Sequence, residues 1–350
     1  MRPSAWYSLV LAILSSSATF SQQAAARHDT GTTNISILIS AVNSDGTPAS
    51  VSQSDFRVEL NGHKASVEEL GHVAPAMHYC LAFDTGRLKD RTTFRERVDQ
   101  AVAFLNSIPQ PGRDFGSLVT FNDDIALVVE SDVPKKLTAS LSNVKPTELS
   151  LSHSSPVTVI SEGVTPVDRA IRGCTTRLVK APADSPRFIF LFTDAEVSFD
   201  PLSAEYTGRI LARTWVHLYG IGNFRPQRDP SEPVAQRASW DCDPPPKDGI
   251  GRLPERNCGA GPALATSSEK DVINGIAEYS GGKCFKTVGK KGLDRALSEI
   301  SRQLSGLLLM TLAEPAPSFL STIEIRCSKK HVSITAPHYY EPSTFTGQWP

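Results

Sequence analysis

The chain has 350 residues, 40% of them apolar and 21% charged, which is the composition of a globular protein of two or three domains and excludes wholesale disorder. Its net charge is -1 and it has no run of five like charges. That balance leaves no electrostatic footprint for nucleic acid or for an anionic membrane surface.

The N-terminus follows the export pattern. Arg2 is the only charge in the first 26 residues, Ala5 to Leu14 is nearly all apolar, and small residues follow. The apolar stretch is too short to span a bilayer, so residues 1–26 are expected to be a signal peptide, cleaved after Ser21 or Ala26. No later segment reaches the roughly 20 apolar residues of a membrane span. The mature chain is therefore expected in the periplasm or outside the cell.

Residues 27–72 are expected to be an N-terminal β segment. Ile35, Ile37, Ile39 and Ala41 alternate with Ser36, Leu38 and Ser40, which predicts a strand with one buried face. Phe56, Val58 and Leu60 alternate in the same way, and Asn61-Gly62 marks a hairpin. Ala65, Val67 and Leu70 would form the return strand.

Over residues 73–306 the rhythm becomes strand and helix in alternation. Met77 to Phe83 is an apolar strand that ends at Asp84, and Thr92 or Thr93 is placed to cap the helix that follows. Phe115 to Phe121 and Ile125 to Val129 read as a strand pair, and Leu137 to Val144 as a short helix. Pro166 suits a helix start. Phe188 to Phe192 is a buried strand, Ala204 to Ala212 a helix and Trp215 to Ile221 a strand. Asp271 to Tyr279 is a helix closed by Gly281-Gly282, Cys284 to Val288 a strand, and Leu293 to Leu304 a helix. This alternation predicts an α/β fold with a doubly wound, mainly parallel sheet. In the C-terminal segment, 307–350, Ile323, Ile325 and Cys327 alternate, then Val332, Ile334 and Ala336. These strands are expected to join the N-terminal ones in a small antiparallel β domain.

Residues 223–265 interrupt the rhythm. They hold eight prolines and read as one long surface loop, which is unusual unless functional. Six cysteines in an exported chain suit disulfides, and six allow 15 connectivities. Cys242 and Cys258, 16 positions apart in the loop, are the readily paired two. Cys80 falls in a core strand and is expected simply to be buried. Trp240 beside Cys242 has the character of an interface anchor.

In an open parallel sheet, ligands bind beyond the carboxyl ends of the strands. Asp84 and Asp194 both follow strands, and Thr165 precedes a helix that starts on the same edge. Two carboxylates and a hydroxyl suit magnesium or manganese. The alternative is that the two aspartates cap helices and pair with Arg87 and Lys89.

Phe83-Asp84-Thr85-Gly86, Thr165-Pro166 and Phe192-Thr193-Asp194 together resemble the von Willebrand factor A family and its metal-ion-dependent adhesion site. Asp55-Phe56-Arg57-Val58, Asn61-Gly62, Ala277-Glu278-Tyr279-Ser280-Gly281-Gly282 and the tyrosine motif near Tyr340 resemble a bacterial subgroup known from acidobacterial genomes. The resemblance covers roughly residues 33–342. It implies metal ligation by Asp84, Thr165 and Asp194. It also implies serines at two further ligand positions, where this chain has Gly86 and Leu88, and a glycine where it has Ala195.

The expected function is that of an exported protein-binding or adhesion module without enzymatic activity. Its partner would be a protein or cell-surface ligand, recognised at the edge that carries Asp84, Gly86, Arg87 and the loop of Trp240. A divalent cation is one version; a metal-free interaction or assembly module with a vestigial site is the other. Asp84-Thr85-Gly86 also matches the aspartic-protease motif. No second copy exists for the required dyad, so a hydrolase is a remote alternative.

Overall fold

The computed structural model describes residues 34–73, 76–85, 91–110, 112–122, 125–145, 166–182, 185–193, 201–222, 269–287, 289–315 and 320–341. Within them the chain builds an antiparallel β sandwich, leaves it for an α/β unit, and returns. The sandwich takes β1 (Asn34–Asn43), β2 (Phe56–Leu60), β3 (His63–Ala65) and β4 (Val67–His72) from one end of the sequence. The other end gives β11 (Leu307–Pro315), β12 (Ser321–Cys327), β13 (Val332–Thr335) and β14 (Tyr339–Tyr340). One sheet has the order β13-β1-β11-β4 and the other β14-β12-β2-β3. Ile35, Ile37 and Ile39 of β1 pack with Val58, Met310 and Ile323 between the sheets. The hairpin expected at Asn61-Gly62 joins β2 to β3, with both residues at positive φ (51° and 78°), as its turn type requires.

Two sequence expectations need correction here. The return strand is two strands, β3 and β4, which lie in different sheets. And β1 is buried on both faces. Leu38 packs into the α/β core, and Ser40 is buried with its hydroxyl donating to the Gln303 carbonyl at 2.7 Å. Alternation between isoleucine and serine hides such a strand, because a serine that finds a partner is as buried as its neighbours.

The α/β unit holds β5 (His78–Asp84), β6 (Phe115–Phe121), β7 (Ile125–Ser131), β8 (Arg187–Phe192), β9 (Val216–Gly222) and β10 (Lys283–Lys286). Their order is β10-β9-β8-β5-β6-β7, parallel throughout except for β7 against β6. The near-continuous apolar runs of β5, β8 and β9 follow from this, since a parallel sheet covered on both sides has no wet face. Against one side lie α1 (Arg91–Ser107), α2 (Pro134–Ser142) and α6 (Gly289–Ser305); against the other lie α3 (Pro166–Leu178), α4 (Pro201–Thr214) and α5 (Glu269–Tyr279). Proline opens α2, α3 and α4, where its fixed φ fits and no amide bond is lost. α1 begins at Arg91, so Thr92 and Thr93 fall inside its first turn.

Gly281 ends α5 at φ 78°, and the Gly282 amide reaches back to the Ala277 carbonyl at 2.9 Å. A Cβ on Gly282 would stand 1.9 Å from the Leu218 carbonyl oxygen, and one on Gly281 2.6 Å from the Pro337 nitrogen. Both glycines of the Ala-x-x-Ser-Gly-Gly motif are thus demanded by close backbone approach. The tyrosine motif docks on the same turn. Tyr339 stacks on Tyr279 with ring centroids 4.2 Å apart, and Glu341, 4% exposed, takes ion pairs from Arg209 and Arg213 of α4.

A disulfide joins Cys80 on β5 to Cys174 on α3, both fully buried. Cys80 is therefore not the lone buried thiol expected from its strand; the crossover brings α3 directly over β5. Cys242 and Cys258 lie outside the described residues. The bridge closes a loop of 94 residues. Cys80→Ser with Cys174→Ser is expected to cost about 4–5 kcal/mol of stability by loop-closure entropy. Urea unfolding would show it as a lower midpoint that is no longer sensitive to reductant; an unchanged midpoint would refute the pairing.

His217 opens a second test. Burial pushes its pKa down to about 4, against an ordinary value near 6.5 in the unfolded chain. The unfolded state alone takes up the proton between those values. The stability tied to the neutral ring is therefore complete above pH 6.5 and is lost as pH falls to about 4, by on the order of 3 kcal/mol. His217→Leu is expected to flatten urea midpoints between pH 7 and 4.5; the same slope in the variant would contradict the assignment.

Candidate functional site

The strand order sets where a site belongs. The sheet grows outward in opposite directions from β5 and β8, and the connections on either side of that pair use opposite faces. Such a switch point leaves a crevice at the carboxyl ends of the two strands. Asp84 is the last residue of β5, and Thr193 follows β8 directly. The Thr193 hydroxyl donates to Asp84 Oδ2 at 2.7 Å. Thr193 is fully buried and the Asp84 side chain is 18% exposed at the carboxyl end of β5.

Behind it stands Arg97 of α1, only 2% exposed. Its guanidinium donates to the Asp84 backbone carbonyl and lies 3.5 Å from Oδ2. A helix residue six positions after the start of α1 thus supplies a fixed positive charge under the aspartate. Thr85 closes the other side: its amide and hydroxyl both donate to the Phe121 carbonyl, at 2.8 and 3.1 Å. Gly222 ends β9 on the same edge, where a Cβ would stand 1.7 Å from the Thr193 carbonyl oxygen. The backbone of the edge is therefore packed too closely for any side chain there. Further along, the Thr287 amide donates to the Gly222 carbonyl at 2.8 Å.

Asp168, in the first turn of α3, is fully buried and accepts the Thr207 hydroxyl of α4 at 3.1 Å. A carboxylate there is favoured by the helix dipole and ties α3 to α4 just beyond position 165.

Of the residues expected at the site, Asp84 lies on the predicted edge. Thr165, Asp194, Gly86, Arg87 and Trp240 lie outside the described residues, as do Leu88 and Lys89. Arg97, Thr193, Asp168 and Thr207 were not singled out from the sequence. Thr165 and Asp168 have the spacing of a capping box, a signal for the latter. Nothing in the sequence points to Arg97, because its partner is 13 residues away and joined only by the crossover.

The resemblance implies a divalent cation on Asp84. Among the described residues the edge offers one carboxylate and the hydroxyl already bonded to it, and no cluster of three ligating side chains. The positive charge beside Asp84 is the Arg97 guanidinium, buried and unable to swing away. Gly86 and Leu88 stand where the resemblance implies serines, and Thr165 and Asp194 lie outside the described residues, so the described residues bring one carboxylate, Asp84, to this edge.

Neither the family models nor the curated proteins contain a match to this sequence. Solved structures with a similar fold include an aerotolerance-related membrane protein from Bacteroides fragilis, at 13% identity over 65% of this chain and 98% of that one, with a TM-score of 0.42. A von Willebrand factor type A structure from Catenulispora acidiphila has 8% identity over 91% and 76%, with a TM-score of 0.43. Proximal thread matrix protein 1 from the mussel byssus, with a zinc-occupied adhesion motif, has 10% identity over 43% and 39%, with a TM-score of 0.32. At these scores the likeness is one of general shape, and the strand order defines the class. This is a von Willebrand factor A-like α/β unit carried on an antiparallel β sandwich.

The ion pair under the edge can be tested directly. Arg97→Met is expected to cost about 3–5 kcal/mol, because it strands Asp84 beside a buried apolar group. Adding Asp84→Asn should return part of that loss. A double-mutant cycle by urea unfolding that gives strictly additive effects would contradict the coupling.

Proposed function

We propose that the chain is an exported, non-enzymatic binding module that recognises a protein or cell-surface ligand at the β5–β8 switch point without a resident cation. The observation that carries this is the Asp84–Thr193–Arg97 arrangement: a half-buried carboxylate at the carboxyl end of β5, bonded from the neighbouring strand and set beside a buried guanidinium. Such a carboxylate costs little to bring against a partner's hydrogen-bond donors, because its charge is already compensated. β9 ends at Gly222 on this edge, and Trp240 in the sequence that follows is read as the interface anchor.

Export is supported by the N-terminal pattern around Arg2 and by the buried Cys80–Cys174 bridge, which suits an oxidising compartment. A cation-bridged version, with magnesium or manganese held by Asp84, Thr165 and Asp194, is the competing reading; the guanidinium beside Asp84 argues against it.

The test is capture of proteins from the cell-envelope and secreted fractions on the immobilised mature chain. The expected result is a protein retained in the presence of EDTA, lost on Trp240→Ala, and still retained on the sandwich variant Arg326→Ala. Retention that EDTA abolishes would favour the cation-bridged version. Retention that Trp240→Ala leaves intact would remove the loop from the site.

A further inference from the structure

The sandwich meets the α/β unit along a seam, and the C-terminal strap 337–341 lies across it. The strap pairs with β12 at two positions only, Tyr340 with Ser321 and Tyr339 with Thr322. The Ile323 amide donates to the His338 carbonyl at 2.8 Å, and the His338 amide donates to the Glu278 carbonyl of α5 at 3.1 Å. Under the strap is a cavity of about 20 Å³. Pro337, Tyr339 and Tyr340 wall it from the strap, Leu38 from β1, and Trp215 and His217 from the start of β9. At that size it is no ligand site, because it has room for a single water molecule.

His217 is 7% exposed, and among the described residues no group hydrogen-bonds to its ring. Phe188 lies against it, with ring centroids 5.4 Å apart. A buried polar group without a partner is rare in a native core and calls for an explanation. Burial alone moves its pKa, down to about 4, so no carboxylate is near enough to hold a proton on it. The charged and titratable groups of the surrounding elements have other partners or stay neutral in acid. Arg187 of β8 donates to the Thr214, Ala181 and Pro182 carbonyls. Arg209 and Arg213 of α4 pair with Glu341, and Glu278 of α5 accepts from Asn274. Tyr339 and Tyr340 are phenols, and burial raises the pKa of Tyr340 further.

Trp215 has φ 58°, a left-handed backbone that a bulky residue adopts only where its surroundings enforce it. Its ring stands edge-on to Tyr340 with centroids 6.3 Å apart, and it packs against the sandwich core. The strap is therefore part of what holds the strained residue.

We propose that the strap is an acid-operated latch: a proton on His217 releases residues 337–341 from α5 and opens the seam between the sandwich and the α/β unit. In the closed form the ring is neutral. In the open form it meets water and recovers its ordinary pKa near 6.5. The open form alone takes up the proton between those values, so acid favours it. The ratio of open to closed forms rises about 30-fold from pH 7.5 to pH 5. Opening also frees Trp215 from its left-handed backbone. The Tyr279–Tyr339 stack and the Glu341 ion pairs keep the latch shut at neutral pH.

The experiment is hydrogen exchange of the full mature chain at pH 7.5 and pH 5, read residue by residue by NMR and corrected for the intrinsic pH dependence of exchange. The His338 and Ile323 amides are expected to be less protected than those of β8 at both pH values, because the latch opens without the sheet. They should lose about 30-fold in protection between the two. His217→Leu and His217→Gln should each remove that loss. His338→Gln, at an exposed position on the strap itself, should keep it. The proposal is overturned if these amides exchange together with β8 at both pH values, since the strap then opens only with the whole fold. It is equally overturned if their protection is the same at both pH values, or if both His217 variants keep the loss. Removal of the loss by His338→Gln would assign the switch to the exposed ring and overturn it as well.

Discussion

The buried guanidinium of Arg97 beside Asp84 is the constraint on which the site depends. An arginine that is 2% exposed must have its charge answered, and the answer is the carbonyl and carboxylate of the residue that ends β5. That fixes the aspartate at the end of the strand, and the Thr193 hydroxyl donates to the same Oδ2 that faces the guanidinium. Around this core the edge has little slack. Gly222 is packed against the Thr193 carbonyl, and Thr85 is held by Phe121 on the neighbouring strand. The Cys80–Cys174 bridge holds α3 to β5 about two turns into the helix.

The β sandwich is tied to the α/β unit at several points that come from opposite ends of the sequence. β1 sends Leu38 into the sheet's core and Ser40 to Gln303, while Gln303 also accepts the buried Tyr219 hydroxyl at 2.9 Å. The C-terminal motif then closes over α5 through the Tyr279–Tyr339 stack and the Glu341 ion pairs with α4. Glu341 is buried, so these pairs are protected from the solvent screening that makes surface bridges weak. The tyrosine motif near Tyr340 is thus a joint between the two parts of the fold.

Most of the element order was legible, because apolar runs of β5, β8 and β9 and the helical spacing of α3 and α6 carry their burial in the residue types themselves. The position of Asp84 followed from the same logic. Contacts across the fold were not legible. Arg97 reads as an ordinary helix cation until the crossover sets it under Asp84, and Cys80 reads as a core residue until α3 is laid over it. The second face of β1 was missed because its burial depends on hydrogen bonds to an element more than 260 residues away. Strand β11, which lies between β1 and β4, opens on the continuous apolar run Leu307 to Met310, which has no alternation to mark a strand.

The central claim is that the edge works with a built-in charge and not with a metal. Isothermal titration of the mature protein with manganese, beside Arg97→Met and Asp84→Ala, addresses it directly. The account predicts no saturable binding to the unmodified chain at millimolar metal. Saturable binding that Asp84→Ala abolishes would contradict it and restore the divalent cation to the site.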